Sequence, residues 1–141
     1  MQEQWINEVL KSSEKKLRTI TGLEAFFPFT KVNKFGYVQE NTKIRNYPIQ
    51  MFATADIAQI GVFLTWEELK RAGSNLRVIN LVHDSVELEG EEGLLTRFCE
   101  NNLEYLMVDS TLKYLKDVYG IDFNLPLGID VKIGKHWGLK D

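Results

Sequence analysis

Residues 79–90 read INLVHDSVELEG, and how this stretch folds decides the rest. A mostly apolar run stops at His83-Asp84-Ser85, after which Val86 and Leu88 alternate with Glu87 and Glu89. LRVINLVH at 76–83 has the pattern of a buried strand, and Val86 and Leu88 mark a return strand with one apolar and one acidic face. The connection is so short that it forces a hairpin over residues 76–89, with His83, Asp84 and Ser85 at or next to the turn. An aspartate in that place has two uses: its side chain bonds nearby backbone amides, or it is held out as a ligand. Glu87 and Glu89 alternate with apolar residues and form the solvated face of the return strand, leading away from the tip.

Working outward, NYPIQMFATADIAQIGVFLTWEELKRAGSN precedes the hairpin. Asn46 suits a helix cap, Pro48 a first helical turn, and Gly73 with Asn75 a stop, which predicts a helix over 48–72 disturbed at Gly61. Residues 19–46 alternate aromatic and polar side chains between Gly22, Pro28 and Gly36, a pattern of short strands and loops. Trp5, Ile6, Val9, Leu10 and Leu17 fall near helical spacing and predict an amphipathic helix over 3–18. After the hairpin, Leu94, Leu95, Phe98, Leu103, Leu106, Leu112, Leu115 and Tyr119 predict a long helix that breaks near Asp109-Ser110 and stops at Gly120. Leu127, Ile129, Val131 and Ile133 alternate with polar positions and predict a closing strand over 127–134, paired with the hairpin. The expected class is α+β, an antiparallel sheet backed by long helices. Residues 1–46 form a helix and irregular β segment, and 47–141 a compact unit.

The chain has 141 residues, 44% of them hydrophobic, a length at which one domain is the default. Cys99 is the only cysteine and there are two histidines, so an internal disulfide is excluded and the chain lacks the Cys/His pairs of a structural zinc site. A hard, oxygen-ligated metal is compatible. The charged N-terminal segment has no secretory character, and no apolar run approaches the ~18 residues of a membrane span, so a soluble intracellular protein is expected. The net charge of −3 is unevenly spread: residues 1–50 hold eight Lys/Arg against five Asp/Glu, and 51–141 hold nine against fifteen. Lys11, Lys15, Lys16 and Arg18, with Lys31, Lys34 and Lys43, offer attraction to phosphates; an exposed helix face accounts equally well for the first four.

Three separated stretches together resemble the C-terminal palm of family A DNA polymerases, the bacterial polymerase I-like group that includes many phage enzymes. VHDS at 82–85 resembles the family's motif C, RNYPIQMFATADI at 45–57 its segment following the fingers, and PLGIDVKIGKHW at 126–137 its closing strand. The resemblance covers roughly residues 20–141, in matching order. It implies that Asp84 is a catalytic carboxylate and a ligand of Mg²⁺, and that His83 lies against the primer terminus. It further implies that Gln50, with Asn46 and Arg45, touches primer–template DNA. Side-chain amides at 46 and 50 suit the acceptor pattern common to all base pairs in the minor groove, and Arg45 suits a phosphate. Asn46 serves as a helix cap, a DNA contact, or both. Ser85 stands where many members have glutamate. Met51 replaces a small residue and is expected to crowd the DNA backbone. Asp56 matches a recurring family aspartate expected to bond protein groups rather than metal.

The family's upstream catalytic motif, D-x-S-x-x-E, and its fingers helix with R-x3-K-x6/7-Y-G do not occur in this sequence. The expected activity is therefore template-directed nucleotidyl transfer shared with an N-terminal polymerase fragment supplied in trans, on primer–template and a deoxynucleoside triphosphate, with two Mg²⁺ ions only partly held here. The expected setting is the cytoplasm of a bacterial or phage-infected cell. The alternative is a non-catalytic DNA-binding module or an inactive truncated remnant.

Overall fold

The computed structural model describes residues 2–136. The chain divides into two compact units, Met1–Ile57 and Ala58–Asp141, where length alone suggested one.

The first unit opens with α1, Gln2–Lys11. Ile6 and Val9 face inward, and Trp5 and Leu10 pack at the margin of the core. The helix predicted to reach residue 18 ends seven residues earlier. Ser12 and Ser13 bring hydroxyls that compete for backbone groups, Ser12 Oγ accepting from Lys16 N–H at 3.4 Å, and Lys15 takes a left-handed φ of 54°. Leu17 still reaches the core, but from strand β1, Lys16–Arg18, paired antiparallel with β2, Glu24–Phe26. Leu17 and Ala25 oppose one another inside; outside, Glu24 accepts from Arg18 at 3.0 Å and from Lys16 at 3.3 Å. A small hairpin follows, closed by a Val32–Val38 bridge, so the expectation of short strands and loops holds.

Helix α2 spans Asn41–Met51, which moves the predicted start from 48 back to 41. Glu40, at φ 61°, occupies the cap position, so Asn46 is mid-helix and not a cap. The reason is an apolar stripe at i, i+4, i+7: Ile44 and Pro48 are buried, and Met51 packs on the same core as Ile6, Val9, Leu17, Ala25 and Phe27. Pro48 thus sits inside the helix, where its missing N–H removes one i→i−4 bond, and the winding loosens just beyond it into a π-type segment, Phe52–Ile57. The predicted disturbance lies there rather than at Gly61.

In the second unit α3, Ala58–Arg71, ends as predicted: Gly73 has φ 60°, and Ser74 N–H bonds Leu69 C=O at 2.9 Å. Gly61 is regular helix, buried against the residues around Met107. The hairpin forms as β3, Arg77–Val82, and β4, Ser85–Glu89, with His83-Asp84 as the two-residue turn. Ile79 is bulged out, because Val78 faces Leu88 while Asn80 faces Glu87. That extra residue is what lets Val78 and Leu81, three apart, share a face with Val86 and Leu88. Glu91 then accepts from Gly93 N–H at 3.1 Å and starts α4, Glu92–Phe98. Helical winding continues through π-type segments Cys99–Leu103 and Tyr105–Ser110 into α5, Thr111–Tyr119, which stops at Gly120 with φ 68°. The expected break at Asp109-Ser110 is thus a change of winding rather than an end.

The class is α+β with two small antiparallel sheets, each of two strands. No closing strand forms over 127–134. Leu127 and Ile129 are half-buried, but Val131 and Ile133 are 41% and 46% exposed, and their backbone joins no ladder. Alternation of apolar residues decides which side of a strand is wet; it does not supply a neighbouring edge to pair with. Trp137, the end of the family-like stretch, lies outside the described residues.

Candidate functional site

The ladder brings β3 and β4 together up to the Val82–Ser85 pair, so only two residues cross between strands. Tight hairpins demand positive φ, and His83 supplies it at 55°, histidine being among the non-glycine residues enriched there. Ser85 Oγ donates to Val82 C=O at 2.9 Å and closes the turn. Asp84 is exposed, and among the described residues its carboxylate has no hydrogen-bond or ion-pair partner. Of the two uses open to an aspartate here, shaping the turn falls to Ser85, and the Asp84 carboxylate is left exposed at the tip of a two-stranded ladder. It is an oxygen donor of the type Mg²⁺ takes, one ligand of a shell that this cation completes with waters, phosphates and a further carboxylate. Among the described residues no three His, Cys, Asp or Glu side chains gather as a metal cage. Glu87 and Glu89 pair with Asn80 and Arg77 down the ladder.

Asn46 and Gln50 lie four apart on α2, both exposed, so their amides project from one stripe of the helix beside half-exposed Tyr47. Arg45 does not share that freedom. Its guanidinium forms an ion pair with Glu3, reaches Gln2 Oε1 at 3.4 Å and bonds Asn41 Oδ1, tying α2 to α1. Met51 is half-buried and packs against the core of its unit. The α2 residues and the His83-Asp84 tip belong to different compact units.

Asp56, on the π-type segment, is buried and accepts from Thr21 Oγ1 at 2.7 Å, with Thr19 and Thr21 hydroxyls 3.0 Å apart. Burial pushes its carboxyl above the ordinary value, and the Thr21 bond pulls the other way. Its partner is a protein group, as expected. Nothing in sequence pointed to Thr21, 35 residues away.

Two shallow grooves mark the second unit, about 600 Å³ beside Trp66, Arg71 and Ser110, and about 480 Å³ beside Leu76, Arg97 and Asn101. Neither is lined by His83 or Asp84. Among the described residues no helix is long and apolar enough to cross a membrane.

The chain matches no family model, no curated protein and no solved structure. The polymerase resemblance therefore rests on the motif residues of the sequence alone.

Proposed function

We propose that this chain is the C-terminal palm portion of a family A DNA polymerase, acting with a partner chain that carries the other catalytic aspartate and the nucleotide-binding fingers. The observation that carries the reading is the unspent Asp84 carboxylate at the tip of a two-residue turn, within the sequence VHDS. In that role Asp84 is a magnesium ligand, and His83 beside it positions the primer terminus. Bound magnesium supplies charge neutralisation for the attacking 3′ oxygen and the leaving pyrophosphate. A carboxylate carried on a two-residue turn between paired strands suits such chemistry. Asn46 and Gln50, exposed on one helix stripe, read duplex geometry through minor-groove acceptors. Arg45 joins them only by giving up Glu3.

One carboxylate does not hold two ions, so the chain alone does not extend primers in this reading. The test mixes it with an upstream palm–fingers fragment, primer–template, nucleotides and Mg²⁺, and follows incorporation. Extension that falls by about 10³-fold or more in Asp84→Ala supports the assignment, since a lost metal ligand removes several kcal/mol of transition-state stabilisation. Extension at an undiminished rate in that variant ends it. DNA binding without extension under any pairing favours the non-catalytic module.

A further inference from the structure

Residues 31–39 form a small hairpin that the polymerase reading leaves without a role. Val38 packs against the core of the first unit, and Lys31–Gln39 and Asn33–Tyr37 flank its bridge to Val32, which places Lys31 and Tyr37 on the face opposite Val38. Lys34 and Phe35 occupy the tip. Asn33 Oδ1 accepts from both Phe35 N–H and Tyr37 N–H at 2.9 Å, and Gly36, at φ 84°, returns an N–H to Asn33 C=O, so the tip is held rather than loose. Even so, Phe35 and Tyr37 are each 72% exposed, with Phe29 at 73% close in sequence. Phe35 and Tyr37 thus present two rings to solvent from one bonded tip.

Charge identifies the occupant. Residues 31–39 hold Lys31 and Lys34 and no Asp or Glu, and the carboxylate of Glu40 at the hairpin's base is taken up by Thr30 and Lys43. Lys34 Nζ lies 5.0 Å from the Phe35 ring centre, pairing a ring with a cation. A nucleotide offers both counterparts, a base for the ring and a phosphate for the ammonium, whereas an apolar protein segment offers nothing to the charge of the two lysines. We infer that the 31–39 hairpin is a stacking platform for single-stranded DNA, with Phe35 and Tyr37 taking bases and Lys31 and Lys34 taking phosphates. The platform belongs to the first unit and Asp84 to the second, and it needs no metal; only the choice of DNA over RNA rests on the proposed function.

The test is fluorescence anisotropy of the full chain with a labelled oligo-dT of about 15 nucleotides over a salt series. Phe35→Ala and Tyr37→Ala each weaken binding about tenfold with the salt slope unchanged, because a stacked base is lost and no phosphate contact is. Lys34→Gln instead flattens the slope of log affinity against log salt by about 0.7, the value for one phosphate on a single strand. Tyr37→Phe keeps the ring and keeps the affinity. The replaced side chains project into solvent, so the variants retain the thermal melt of the parent. The binding assay contains neither metal nor partner fragment, so failure of the platform is read separately from failure of the catalytic reading. Undiminished binding by both aromatic variants overturns the inference, as does duplex DNA binding as tightly as oligo-dT. Tighter binding of oligo-rU overturns the choice of DNA. Hydrogen-exchange protection of 31–39 by the upstream polymerase fragment, with none from oligo-dT, overturns it in favour of a protein-docking surface.

Discussion

Gly61→Ala sets two effects of known size against each other. In an exposed helix the exchange stabilises by about 1 kcal/mol, because alanine loses less backbone entropy on folding. At position 61 a methyl group meets the next helical stretch: an ideal Cβ falls 3.0 Å from Met107 Sδ, 3.2 Å from Thr111 Oγ1 and 3.3 Å from Met107 Cα. The thioether can swing aside, but the Cα moves only with its helix, and overpacking of that kind costs about 1–3 kcal/mol. The steric cost exceeds the gain, and net destabilisation of about 1 kcal/mol is expected. Urea denaturation followed by circular dichroism measures it as a lower midpoint at constant m. Adding Met107→Ala removes the Sδ contact, so Gly61→Ala costs less in that background and the cycle shows coupling. If Gly61→Ala stabilises the parent by the full propensity gain, the close approach of α3 to the 105–110 segment is wrong.

Burial raises the Asp56 carboxyl, so the folded state holds its proton more tightly than the unfolded chain. Its stability contribution is complete below the unfolded value and is lost as pH rises through the folded one. Asp56→Asn removes that titration: the gap in unfolding free energy between variant and parent moves in favour of the variant as pH is raised, and a gap that stays constant refutes the assignment. Thr21→Val takes away the hydroxyl bonded to Asp56 and costs about 1–3 kcal/mol near neutral pH, read from the denaturation midpoint. His83→Gly relieves a left-handed residue and stabilises by about 0.5–1 kcal/mol, and under the proposed function it lowers primer extension in the reconstituted complex; a less stable variant contradicts the first expectation. Asp84→Ala leaves stability within about 0.5 kcal/mol of the parent, since the carboxylate holds nothing in the fold.

The hairpin was legible because two constraints agreed: an apolar run on one side with an apolar–acidic alternation on the other, and a connection too short to allow anything but a tight turn. Gly73 and Gly120 were legible as stops because a left-handed residue after a helix leaves a local mark. The start of α2 was not, since Pro48 looks like a first-turn residue until Ile44 and Met51 are seen to share its stripe. In the same way Leu17 continued a helical period that the turn at Ser12–Lys15 had already broken, and it met the core from a strand. The Asp56–Thr21 bond joins residues from distant parts of the chain, and no local pattern encodes such a pair. The exposed rings of 31–39 were visible only as an aromatic–polar alternation; that they stay wet is a property of the fold.

Ile79 stands outside the ladder, and every partnership on either side of it survives its removal: Val78 keeps Leu88 and Asn80 keeps Glu87. What such an extra residue adds is a sharper local coil of the two strands, and therefore a heading for whatever they carry at their far end. Excising Ile79 would swing His83 and Asp84 to a new bearing with their own atoms untouched. The residue is a steering element, and its deletion separates where the carboxylate aims from what it is.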